Sequence, residues 1–356
     1  MVKPIDDTEL IRQLDPGNMY NAIFDLPEQM DEAFKIASGW EVTADQFSEP
    51  GNIIVVGMGG SAIGGDLLRT LLSSQLLIPF HVCRHYHLPE YVDDESLVIV
   101  SSYSGNTEET LSAFEDALDR KAMIAGVTTG GMLEETAQLN QVPCLKIPPG
   151  LQPRAALGYS LVPVMVFLEK IGLIDGVADQ LARTIKRLMV LREKYIESES
   201  SETNTAKMLA EMMHEKMPII YGGPTLTDVV AMRWKGQVCE NAKNMAFANQ
   251  YAEFNHNELV GYNELIAGHK DHLMVVQLRD KDDHPKITRR MEIVASIIRK
   301  LGVDVVEVDS VGEYPLERMF SLIQLGDFVS YYLAILNGVD PTPVDAIETL
   351  KKELAG

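Results

Sequence analysis

Two runs of small and hydroxylated residues could hold an anion. Gly57-Met58-Gly59-Gly60-Ser61-Ala62-Ile63-Gly64-Gly65 follows the aliphatic run IIVV and opens an amphipathic stretch. Ser101-Ser102-Tyr103-Ser104-Gly105-Asn106-Thr107-Glu108-Glu109-Thr110 follows another aliphatic run, SLVIV. A strand-to-helix turn presents free backbone N–H groups and the positive end of the helix dipole, so it can hold a phosphate without bulk positive charge. Gly59, Gly60 and Ser61 are the candidate contacts in the first turn, and Ser102, Ser104 and Thr107 bring three hydroxyls to the second. The plainer alternatives are a tight turn with no ligand and an N-cap cluster in which Asn106 or Thr107 caps. One cap would suffice for the latter, whereas three hydroxyls and a glycine exceed what a cap needs. Gly57-x-Gly59-x-x-Ala62 also fits the dinucleotide fingerprint, but the next aliphatic run ends in Arg84 and His85 instead of an acid. That excludes NAD and leaves NADP only through Arg84.

A second group of residues could move protons or stabilise charge. Glu240, in RWKGQVCENAKN, shares one helical face with Arg233, Gly236, Gln237 and Asn244, which reads either as a solvated polar face or as a carboxylate placed for acid–base work. His256 follows sixteen residues later in Asn255-His256-Asn257, Arg154 follows a Pro-rich turn, and Lys351 lies in the C-terminal IETLKKEL. By themselves these three read as surface residues, or for His256 as a satisfied histidine. His81, Cys83, His85 and His87 alternate, as one face of a strand would, and make a conceivable metal site. Pro79 and Pro89 bound a segment too short to stay extended throughout, so no metal is expected there.

Positioning these groups requires a repeating α/β frame. Residues 1–49 read as a helical lead-in, with Ile23, Phe24, Leu26, Met30 and Phe34 near 3.6 spacing. From residue 50 short aliphatic runs (IIVVG, IPFHVC, SLVIVSS, AMIAGVTT, CLKIP) alternate with amphipathic stretches. Runs that do not alternate suit strands buried on both faces, and the stretches between them suit parallel crossovers. A helical connection spans 154–210, and a second round fills 211–356 with strands at PIIYGG, HLMVVQL and VDVVEVD and a long final helix. The expected architecture is therefore two α/β sandwich domains of one kind, at 50–153 and 211–356, with mainly parallel sheets flanked by helices.

The 356 residues carry 31 Lys and Arg against 52 Asp and Glu, a formal charge of −21. Such a field repels phosphate backbones, so nucleic acid is not an expected partner, and a phosphorylated ligand needs a local cradle. Three cysteines without a C-x-x-C point to reduced thiols and a cytoplasmic setting. MVKPIDDTELIRQLD lacks an apolar core, and LVPVMVFL, taken as the most apolar later stretch, is too short to span a bilayer. No membrane association is expected.

GMGGSAIGGDL, SYSGNTEET, PRAAL, CENAKN, FNHNEL and IETLKKEL, in that order, resemble the bifunctional phosphoglucose/phosphomannose isomerases, which are sugar isomerase (SIS) domain proteins. The resemblance runs from about residue 50 to the end. It implies two SIS-type domains and reversible conversion of glucose 6-phosphate, with mannose 6-phosphate, to fructose 6-phosphate through a cis-enediol. It also implies a small-molecule sugar phosphate as substrate, no cofactor, and a homodimer whose active site is completed across the interface. The residues that match are Glu240 as the base, His256 as the ring-opening acid/base from the partner chain, Lys351 (Lys352 less so) acting with it on the ring oxygen, and Arg154 for enediolate charge. A family threonine that accommodates the C2 epimer matches either Thr342 or Val344 in DPTPVDAI. A non-catalytic phosphosugar sensor would need the cradle but not this proton-transfer set.

Overall fold

The structure, a computed structural model, describes residues 3–47 and 49–354. Met1, Val2, Ser48, Ala355 and Gly356 lie outside the described residues, and with them the ends of the 1–49 and 211–356 spans. The chain forms two compact units, residues 25–187 and residues 1–24 with 188–356. The connection at 154–210 is helical in three pieces, Leu157–Lys170, Val177–Arg192 and Thr205–Met213, and the division between units falls inside the second.

The 25–187 unit is built on β1 (Asn52–Val56), β2 (Phe80–Cys83), β3 (Ser96–Ser102), β4 (Met123–Thr128) and β5 (Cys144–Lys146). All neighbours are parallel, in the order β2-β1-β3-β4-β5. Ile53 to Val56 and the whole of β3 are buried, so both faces are covered and the aliphatic residues run without alternation. Each such side chain contributes roughly 1.5–3 kcal/mol by leaving water. Helices Gly59–Leu72, Glu108–Asp119 and Gly131–Leu139 make the crossovers, and Leu157–Lys170 is buried over nearly its whole length.

The other unit carries β6 (Met217–Gly222), β7 (Phe247–Gln250), β8 (Leu273–Arg279) and β9 (Asp304–Asp309), parallel in the order β7-β6-β8-β9. This order repeats β2-β1-β3-β4, as a diverged duplication requires. β7 is a strand beyond those expected from the sequence. Its FANQ is an edge strand with no fully buried residue, so it lacks the aliphatic run that marks the others. Helix Pro315–Leu336 runs through this unit and is long and apolar enough to cross a membrane, unlike the shorter LVPVMVFL, but 94% of its apolar window is buried. It is a core helix that also holds a buried ion pair. The Arg233 guanidinium lies 2.7 Å from Asp327, and Gln237 donates to the other Asp327 oxygen at 2.8 Å.

Candidate active site

β1 and β3 are adjacent where the strand order reverses, and a crevice opens at the carboxyl ends of such strands. Both phosphate-loop candidates leave from there. Helix Gly59–Leu72 follows β1 with Met58 at its N-cap, and helix Glu108–Asp119 follows β3 with Thr107 at its N-cap. Neither cap residue makes a side-chain capping bond. Thr107 therefore occupies the cap position without acting as the cap, and both helix starts keep donor capacity for an anion.

The six phosphate candidates divide by exposure. Ser61 and Ser102 are buried, Gly60 and Thr107 half-buried, and Gly59 and Ser104 exposed. The Ser61 oxygen accepts from the Tyr103 amide at 3.3 Å. Ser102 accepts from the Gly105 amide at 3.2 Å and donates to the Thr107 hydroxyl oxygen at 3.1 Å. Thr107 thus retains its own proton for an outside acceptor. The Ser104 oxygen accepts from the Asn106 amide at 3.3 Å and likewise keeps its proton. Gly105 has φ +69°, and a Cβ there would lie 1.7 Å from the Gly130 carbonyl oxygen, so only glycine lets this loop close.

Arg154 is brought to the same place by two contacts. A Cβ on Gly60 would stand 2.5 Å from the Pro153 carbonyl oxygen, so the first turn of the glycine helix packs directly on the Pro153–Ala155 turn. Tyr103 fixes the approach to that turn. Its hydroxyl donates to the Pro148 carbonyl at 3.0 Å and accepts from the Leu151 amide at 3.1 Å. Arg154 itself is 4% exposed. Tyr103 is a functional residue beyond those expected; its only signal in the sequence is an aromatic residue inside a hydroxyl-rich loop.

Glu240, His256 and Lys351 belong to the other unit. Glu240 is half-buried in the last turn of helix Thr227–Asn241. Of the two readings of this face, the solvated one fails at Arg233 and Gln237, which are buried on Asp327; the neighbouring Asn241 donates to the Ser330 hydroxyl at 2.9 Å. Beyond the helix the Lys243 ammonium donates to the carbonyls of Glu240 at 2.8 Å and Pro341 at 3.2 Å, fastening the helix end to the loop that carries Thr342. His256 is exposed on the turn Glu253–His256, and Lys351 is exposed on helix Asp345–Leu354. Neither is held in a hydrogen bond or ion pair among the described residues.

The matching strand ends of this unit, β6 and β8, carry different chemistry. Asp280, Asp282 and Asp283 follow β8, and Arg318 is engaged with Asp280 at 2.9 Å and Asp282 at 2.5 Å. Burial, with Asp280 and Asp228 nearby, pushes the Asp283 carboxyl up to about 6. An anion would meet carboxylates there, so among the described residues the candidate cradle lies at β1 and β3 and not at β6 and β8. As for the histidines, β2 ends at Cys83, and His85 and His87 lie in the bend after it. The alternation does not extend to them.

The SIS domain model matches residues 46–140, and the model of the bacterial phospho-glucose isomerase C-terminal SIS domain matches residues 202–354. A bifunctional phosphoglucose/phosphomannose isomerase of Caldicellulosiruptor bescii is 46% identical over 95% of this chain and 99% of its own. One from Aquifex aeolicus is 34% identical over 91% and 99% respectively. A crystal structure of a hypothetical protein from Thermus thermophilus shares the fold, with TM-score 0.73 and 16% identity over 98% of this chain and 94% of that one. Two parallel α/β domains in the same strand order, matched by SIS domain models, and relatives aligned end to end make this chain a member of the bifunctional phosphoglucose/phosphomannose isomerase family.

Proposed function

We propose that the protein interconverts glucose 6-phosphate, and mannose 6-phosphate, with fructose 6-phosphate. The phosphate takes the donors of Ser104, Thr107 and the two uncapped helix starts, with Gly59, Gly60, Ser61 and Ser102 shaping the loops. His256 and Lys351 exchange the proton on the ring oxygen and open the sugar. Glu240 removes the proton from C2 of the open aldose and returns it to C1, while the O2 hydroxyl proton ends on O1. Loss of the C2 proton leaves an enediolate, the deprotonated form of the cis-enediol, whose negative charge Arg154 stabilises. Atoms and electrons balance within the substrate, so the reaction calls for no redox cofactor. The supporting observation is the pair of helix starts after β1 and β3 without side-chain caps, with the Pro153–Arg154 backbone packed against the first of them, in a chain 46% identical to an enzyme of this name.

We read the protein as a cytoplasmic homodimer in which each His256 serves the partner's substrate. Its exposure and lack of a fixed partner suit that role. Thr342, beside the Glu240 helix end through Lys243, is our candidate for accommodating the C2 epimer. A coupled assay run separately with the two aldose phosphates tests the function, and formation of no fructose 6-phosphate from either would overturn it. A monomer by light scattering at assay concentration would remove the dimer.

A further inference from the structure

The turn that carries His256 is fastened on both sides to one tyrosine. Phe254 is fully buried and lies flat on the Tyr221 ring, centroids 4.2 Å apart and planes at 14°, with Tyr251 edge-on to both. Four residues on, the half-buried Glu258 carboxylate accepts the Tyr221 hydroxyl on one oxygen and the Asn249 amide on the other, the latter at 2.6 Å. Because Tyr221 commits its single proton to Glu258, the Tyr262 hydroxyl, 2.8 Å away, is the donor to the Tyr221 oxygen. Burial and these neighbours hold the Tyr221 phenol far above its usual range, so it remains a donor, and burial pushes Tyr262 up to about 12. Within the turn, the Asn257 oxygen accepts from the Glu258 amide at 2.5 Å and its amide donates to Glu253 at 3.0 Å. His256 sits midway between residues 254 and 258 with no hydrogen bond on its ring among the described residues. Its backbone anchors alone decide where the imidazole stands.

We propose that Glu258 is the positioning residue for ring opening, acting through the backbone of the His256 turn by gripping Tyr221 and Asn249. The proposal rests on the reading of His256 as the ring-opening acid/base. Packing alone would be served by Phe254 on Tyr221. A carboxylate drawn in behind it needs two donors to offset its desolvation, and both come from β6 and β7, the rigid sheet beneath the turn.

The test uses the full-length protein. Exchange NMR between the α and β anomers of glucose 6-phosphate reads catalysed ring opening, and a coupled assay reads fructose 6-phosphate formation. Glu258→Gln turns an amide NH2 toward one of two donors, Tyr221 or Asn249. Anomer exchange then falls by about ten- to a hundredfold, the scale set by roughly 1 Å of misplacement. KM changes by less than about threefold, because the phosphate contacts are untouched. Adding Glu258→Gln to His256→Asn lowers exchange no further, which a general loss of structure would not reproduce. If Glu258→Gln does not fold, Tyr221→Phe, which keeps the stacked ring and removes only the hydroxyl, decides in its place. Exchange at the wild-type rate in a folded variant, or equal fractional losses with and without His256, overturns the proposal. Wild-type protein that forms no fructose 6-phosphate overturns this proposal and the functional reading together, and does so before any substitution is made.

Discussion

The Tyr103 backbone amide donates to the Ser61 hydroxyl oxygen at 3.3 Å, which joins the loop after β1 to the loop after β3. The same tyrosine holds the 148–151 segment through its phenol, and that segment leads into the turn against Gly60. Two loops separated by more than forty residues and the approach to Arg154 therefore share one anchor.

Ser104→Ala and Thr107→Ala each remove a hydroxyl whose proton is uncommitted within the protein. A hydrogen bond to a charged group is worth about 1.5–3 kcal/mol. The phosphate is remote from C1 and C2, so its contacts change little along the reaction. KM rises by roughly tenfold or more while kcat changes much less, measured by steady-state kinetics with glucose 6-phosphate. A fall in kcat with KM unchanged would remove these hydroxyls from the cradle.

Glu240→Gln keeps the shape of the side chain and loses its ability to accept the C2 proton. Isomerisation falls by about 10²- to 10⁴-fold, with sugar phosphate affinity nearly intact by calorimetry. More than about a tenth of the wild-type rate would mean that another group is the base.

Asp283 gives a pH dependence of stability. Its carboxyl is 7% exposed and pushed up to about 6, above its ordinary range, so the folded state holds the proton more tightly than the unfolded chain. Below about pH 4 both states are protonated and the site imposes no penalty. As pH rises through about 6 the folded state must ionise a buried carboxyl, and up to about 3 kcal/mol of stability is lost. Asp283→Asn, which can still accept the Asp280 amide bonded at 2.9 Å, raises Tm at pH 8 and has little effect at pH 4. An equal shift at both pH values would contradict this origin.

Activity survives prolonged dialysis against EDTA. Among the described residues no three His, Cys, Asp or Glu side chains gather into a ligand set. The proposed reaction assigns its proton to Glu240 and its developing charge to Arg154. Loss of activity in chelator, restored by zinc, would refute the mechanism.

What the sequence made legible was whatever depends on a run of neighbouring residues. β3 matches the run SLVIVSS residue for residue, and both strand-to-helix turns follow their aliphatic strands. β7 was not legible, because FANQ buries no residue fully and so carries no aliphatic run, unlike the other edge strands. The burial of Arg233 and Gln237 was not legible because their partner Asp327 is about ninety residues away on another helix. Tyr103 and Glu258 act through partners at Pro148 and Tyr221, and a window of neighbouring residues contains no trace of either pairing. Helical spacing identifies which residues share a face; it does not identify what that face meets.

The two helix starts without side-chain caps have a consequence for the protein's lifetime in a cell. A missing cap forgoes about 1 kcal/mol, so the empty protein carries a deficit at two places that a bound phosphate would make good. Ligand that binds only the folded form also adds stability that grows with its concentration above Kd. Starved of sugar phosphate, the protein would open locally at these turns more often and present them to proteases. With the phosphate placed as proposed, turnover of the polypeptide would follow the supply of sugar phosphate, and limited proteolysis with and without glucose 6-phosphate reads the coupling directly.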